Sequence, residues 1–146
     1  MNGVYFVVPG EPVAKGRPKF VQRGSFTRAI TPEKTVNFEN FVKLMFQQQC
    51  PNVIPFPKDE PLSVRITSFF TIPKSVSKKK RQDMIERRIR PTKKPDCDNL
   101  AKAICDALNG IAFYDDSQVV ELVLDKFYGE SPETWVTIQK IGSEDL

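Results

Sequence analysis

Residues 62–72 constrain the fold more than any other stretch. Leu62, Val64, Ile66, Phe70 and Ile72 are apolar, and Ser63, Arg65, Thr67 and Thr71 alternate with them. A period of two belongs to a strand, whose successive side chains point to opposite faces. A strand with one wet face and one apolar face must sit in a sheet that something else covers. Pro73 ends the run.

The rest of the chain supplies that cover. Thr31-Pro32-Glu33 has the form of a helix start, with a Thr cap, Pro in the first turn and an acid beside it. Phe38, Phe41, Val42 and Met45 then follow helical spacing, and Pro51 requires an end near Gln49. A second helix is expected over 97–109, with Leu100, Ile104, Ala107 and Leu108 as its apolar stripe and Asn109-Gly110 as its stop. Residues 76–89 allow a short basic helix capped by Ser75 or Ser77. Residues 4–8, 119–128 and 135–141 have strand composition, and a hairpin with an Arg23-Gly24 turn fits the segment between 10 and 28. The turn-like 129–133 leads us to expect that the last two strands pair as an antiparallel hairpin. The expected class is α+β, a single small domain over 1–146 with one mixed or antiparallel sheet and helices packed on it.

Charge is distributed unevenly. Residues 1–73 carry nine Lys/Arg against five Asp/Glu, residues 74–94 ten against two, and residues 95–146 three against eleven. Such a division suits a polyanion-binding surface beside a cation-binding site. The chain has no histidine, which excludes Ser-His-Asp and Cys-His catalysis and any histidine base. Cys50, Cys97 and Cys105 match no zinc spacing and read as reduced thiols. No apolar run reaches the ~20 residues of a membrane span, and the start lacks the features of a signal peptide, so a cytoplasmic protein is the default expectation.

Two acidic clusters remain. Asp96 and Asp98 open the 97–109 helix, and Asp98, Lys102, Asp106 and Asn109 fall on one face of it at ~100° per residue. One Asp would serve as a cap; two exceed what capping requires. Asp115 and Asp116 lie beyond the Asn109-Gly110 turn, which can send them back towards that helix. A divalent cation between the clusters would turn repulsion into coordination, and Mg²⁺ takes a few carboxylates plus water and phosphate oxygens. Spacing alone leaves a metal site and a solvated acidic surface both open. An EF-hand is rejected, because Leu100 and Ala101 continue into a helix. A phosphatase-type Asp nucleophile is rejected because Pro95 precedes it where a buried strand should be.

The stretch Lys94-Pro95-Asp96-Cys97-Asp98-Asn99-Leu100-Ala101-Lys102, followed by Asp106-Ala107-Leu108-Asn109-Gly110 and Asp115-Asp116-Ser117-Gln118-Val119, closely resembles the RusA family of Holliday-junction resolvases, the crossover-junction endodeoxyribonucleases. Pro9-Gly10-Glu11-Pro12 and Lys15-Gly16-Arg17-Pro18 are similar to that family's opening. The resemblance implies a RusA-like α+β homodimer that hydrolyses phosphodiesters of a four-way DNA junction with Mg²⁺, or Mn²⁺ in its place, in recombination and repair. It implies that Asp96, Asp98 and Asp116 bind metal, that Asp115 is a neighbour with a lesser claim, and that Lys102 is the active-site lysine. Phosphate contacts are expected from Lys15, Arg17, Lys19, Arg23 and Arg28, with Lys78, Lys79, Lys80 and Arg81 as further candidates. Two rivals stand beside the resolvase: a junction-binding protein that does not cleave, and a broader flap or branched-DNA nuclease.

Overall fold

The strand announced by residues 62–72 is central to the sheet. The computed structural model of the chain describes residues 3–13, 19–24, 26–30 and 33–142, apart from the side chains of 19–23, 26–30, 34 and 35. In it β4 (Leu62–Thr71) lies between β5 (Val119–Gly129), which it pairs in parallel, and β6 (Glu133–Lys140), which it pairs antiparallel. β1 (Gly3–Pro9) closes the far side antiparallel to β6, for an order β1-β6-β4-β5. Leu62, Val64 and Ile66 are buried on alternate positions as their period predicts, but Ser68, Phe69 and Phe70 are buried in succession. The second half of β4 is therefore covered on both faces as well as both edges. Ser68, the polar member of that buried run, shares a 3.0 Å hydrogen bond with Thr134 of β6, which is also buried.

The expectation that β5 and β6 form a hairpin is corrected by this order: β4 separates them. Two physical features explain the difference. An apolar β4 with both faces covered gains more from two neighbours than a β5–β6 pair would gain from each other. Residues 130–132 also suffice to cross above β4, since two strand spacings are only ~10 Å. Gly129 opens that crossing, and a Cβ there would stand 3.2 Å from the Cβ of Phe69.

Two helices cover one face of the sheet. α1 (Glu33–Gln49) presents Phe38, Val42 and Phe46, and its end agrees with the position forced by Pro51. Thr31 and Pro32, the helix start that the sequence predicts, lie outside the described residues. α3 (Cys97–Leu108) buries Leu100, Ala101, Ala103, Ile104, Cys105, Ala107 and Leu108. Together with Phe6, Val8, Val136 and Ile138 of the sheet these residues form the core, each large side chain contributing about 1.5–3 kcal/mol through burial. Phe6 and Phe46 meet edge to face at 5.4 Å between ring centroids.

The parallel β4–β5 pair needs a long crossover, and α2 (Lys78–Ile85) and α3 provide it. The Ser77 side chain caps α2, accepting from the Lys80 amide at 3.2 Å, and Met84 is the residue α2 buries. β2 (Lys19–Arg23) and β3 (Phe26–Ile30) form a separate antiparallel pair, joined at Gly24, whose φ of +61° a two-strand turn demands.

Candidate active site

α3 carries the first acidic cluster. It is strongly amphipathic, so burial of its apolar face leaves Asp98 and Lys102 in solvent, with Asp106 half-buried beside them. Asp96 occupies the cap position in extended backbone and its carbonyl accepts from the Leu100 amide at 3.0 Å. Its carboxylate makes no capping hydrogen bond, so helix capping does not account for this side chain. Lys102 reaches forward along the helix to Asp106, at 4.0 Å.

The second cluster returns to α3 because the chain turns sharply after it. Gly110 has a φ of +81°, and its amide donates to the Phe113 carbonyl at 2.8 Å. Ala112 and Phe113 then plunge into the core, which fixes where Tyr114–Gln118 must emerge. Gln118 holds the emerging turn. Its side-chain oxygen accepts from the amides of Tyr114 and Asp115 (2.9 and 3.1 Å), and its side-chain nitrogen donates to the carbonyls of Pro57 and Glu60 (2.9 and 3.0 Å). Asp115 caps the 3-10 turn Asp116–Gln118 and accepts from the Ser117 hydroxyl at 2.6 Å.

Asp98, Lys102 and Asp116 meet at the walls of one open pocket of about 350 Å³, together with Ala101, Cys105, Val119, Val120 and Leu122. Val120 is there because the β4–β5 register slips: Leu62 pairs with Val119 but Ser63 pairs with Glu121, so Val120 bulges out unpaired. The pocket is electrostatically tense. Burial pushes the Asp116 carboxyl above its usual range, Asp115 and Asp106 push it further, and Lys102 opposes them. Asp115 moves the other way, held low chiefly by the Ser117 hydroxyl. Burial, with Asp116 and Asp106 adding to it, raises the Cys105 thiol to about 11, so it is a neutral wall rather than a nucleophile.

Asp96 and Asp115 do not line this pocket, and among the described residues no three of the Asp, Glu and Cys side chains gather closely enough to form a closed ion cage. That arrangement still suits Mg²⁺, which keeps several waters and is commonly held by one or two carboxylates and substrate phosphates. The repulsion imposed on Asp116 is what a divalent cation beside it would relieve.

The phosphate-contact candidates divide. Lys15 and Arg17 lie outside the described residues. Lys19, Arg23 and Arg28 sit in the β2–β3 ladder, where Val21 is paired with Arg28 and Arg23 with Phe26. Lys78, Lys79, Lys80 and Arg81 form the exposed first turn of α2, at the helix end where cations oppose the dipole. Sequence reasoning missed Gln118, whose importance depends on carbonyls nearly sixty residues away. Asp106 lies on the polar face of α3, and its i, i+4 spacing from Lys102 is the sequence signal for its pairing there.

Comparison with known proteins follows the same residues. Residues 9–139 match the model of a family described as endodeoxyribonuclease RusA. The chain is also 39% identical over 145 residues to "Uncharacterized protein YqaN" of Bacillus subtilis (strain 168), an alignment that covers 98% of this chain and all of that protein.

Proposed function

The chain belongs to the RusA endodeoxyribonuclease family, and on that premise we propose that it is a Mg²⁺-dependent endonuclease that resolves four-way DNA junctions as a homodimer. The observation that carries the reading is the convergence of Asp98 from α3 and Asp116 from the returning turn on one pocket that also contains Lys102. Asp98 and Asp116 would hold Mg²⁺, with Asp96 and Asp115 as further carboxylates close in sequence, and Mn²⁺ would serve in its place. When bound, the ion supplies Lewis-acid stabilisation of the phosphate and a nucleophile from water near neutral pH, which a chain without histidine needs.

The protein's own side chains do the rest. Lys102, steadied by Asp106, sets a positive charge where the scissile phosphate would enter and offsets charge that builds up there. Ala101, Val119, Val120 and Leu122 form apolar walls that limit water on one side and so strengthen those interactions. A junction presents two equivalent strands, and a two-fold dimer offers one such pocket to each.

Asp98→Asn tests the reading. It should reduce cleavage of a synthetic four-way junction by about a hundredfold or more while junction binding persists. Wild-type nicks should map to symmetric positions on opposing strands. Retained cleavage in the variant would remove Asp98 from the site, and cleavage of flap or plain duplex DNA equal to that of the junction would replace the resolvase with a broader nuclease.

A further inference from the structure

The end of α2 has an unusual geometry. The Arg88 amide donates to the Asp83 carbonyl at 2.8 Å and the Arg87 amide to the Met84 carbonyl at 3.2 Å, which is the Schellman pattern of helix termination. The residue in Arg87's place is usually glycine, because it must be left-handed; here φ is +66° on an arginine. The result is that the Arg87 guanidinium lies 4.3 Å from the centroid of Phe127 in β5.

Other cations gather at the same place. Arg90 also stands 4.3 Å from Phe127, donates to the edge carbonyl of Lys126 at 3.0 Å and pairs with Asp125 at 3.3 Å. Lys126 and Lys93 lie 5.3 and 6.0 Å from the centroid of Phe70, and the Lys126 amine donates to the Lys93 carbonyl at 2.6 Å. Arg65 approaches Asp125 at 3.8 Å. Asp125 is thus the carboxylate that Arg65 and Arg90 share. Arg88, by contrast, turns back to Asp83 and Glu86 of its own helix segment. Among the described residues Arg87 pairs with no carboxylate.

Aromatic faces offset part of the repulsion between these cations, and an anion would offset the rest. Phe127 is paired with Phe69, and Phe70 with Tyr128, so the two rings belong to opposite faces of the sheet. The cations therefore wrap the edge of β5, a shape that one small anion cannot answer and a passing polyanion can. From Leu122, in the acidic pocket, to Phe127 is five residues of strand, ~17 Å. That is about five nucleotides of a duplex strand at ~3.4 Å each.

We propose that this collar binds phosphodiesters of the DNA strand that runs on from the acidic pocket, with Arg87 as its anchor. The inference rests on the nuclease reading for its ligand but not for its test. The measurement is binding of a fluorescent four-way junction in chelator, without cleavage, over a series of salt concentrations, alongside thermal melting.

Arg87→Gly should bind about tenfold more weakly at moderate salt, with a log–log salt slope shallower by about one. Its melting temperature should hold or rise, because glycine suits the left-handed position. Arg87→Lys should recover most of the slope. Wild-type affinity and slope in Arg87→Gly would overturn the collar, as would a loss of affinity accompanied by a lower melting temperature, which marks a purely structural arginine. A wild-type protein that binds through Arg87 yet cleaves no junction would instead sink the nuclease reading and leave the collar standing.

Discussion

The two ends of β5 treat charge in opposite ways. At Val119–Leu122 the strand borders Asp98 and Asp116, acids drawn together with a single lysine between them and an apolar wall behind. At Asp125–Phe127 it borders cations held on aromatic rings around a single acid. The edges differ too. Arg90 covers the Lys126 carbonyl at one end, while Val120, Leu122 and Val123 are exposed at the other. Each end keeps an excess of one sign that the fold itself does not neutralise. Opposite excesses on one strand are what a metal ion and a phosphate chain would each require.

The comparison can be broken most severely at the acidic end. Asp116→Asn should lower junction cleavage by on the order of a hundredfold or more, assayed at saturating Mg²⁺. It should also raise the melting temperature at pH 7. Asp116 has its folded pKa raised above the ordinary 3.8, so its favourable contribution is complete below that value and is lost as pH climbs through the carboxylate range. The asparagine variant escapes that loss, and its advantage should vanish below pH 3.8. A variant that melts lower than wild type at pH 7 would show that Asp116 is stabilising and the pocket is not under tension.

A smaller effect is expected where the acidic turn is anchored. Gln118→Ala leaves the Pro57 and Glu60 carbonyls and the Tyr114 and Asp115 amides without their partner. Chemical denaturation should show a loss of about 1–3 kcal/mol. A change within error would mean that water replaces the glutamine fully.

The smallest effect belongs to the cationic end. Asp125→Asn removes the acid shared by Arg65 and Arg90, and junction affinity at low salt should rise about twofold to fivefold. Unchanged affinity would indicate that those arginines do not face DNA.

What was legible in the sequence follows from how locally each feature is determined. α3 and the acids on it were readable because seven buried residues and one exposed face repeat at helical period. The return of Asp116 to that face followed from Asn109-Gly110, a local signal for a stop and a turn. The partner of β5 was not readable, because the identity of a neighbouring strand depends on which surfaces are still uncovered when it arrives. The short 130–132 connection resembles a hairpin turn and is in fact a crossing over β4. The basic run over 74–94 was visible as charge, but its use depends on Phe127 and Phe70, which lie elsewhere in the chain. Nothing local marks a phenylalanine as a perch for arginine.

The pairing of β1 with β6 has a consequence for biogenesis. Residues 3–9 find their sheet partners only at 133–139, and β4 likewise waits for β6 on one side. During translation the first strand leaves the ribosome well over a hundred residues before its neighbour exists. The sheet that carries β5 cannot close around a nascent chain, and contacts of such long range form slowly. An unfinished chain of this sequence would therefore carry every aspartate of the pocket while the sheet beneath it still lacks the strand that joins β1 to β4.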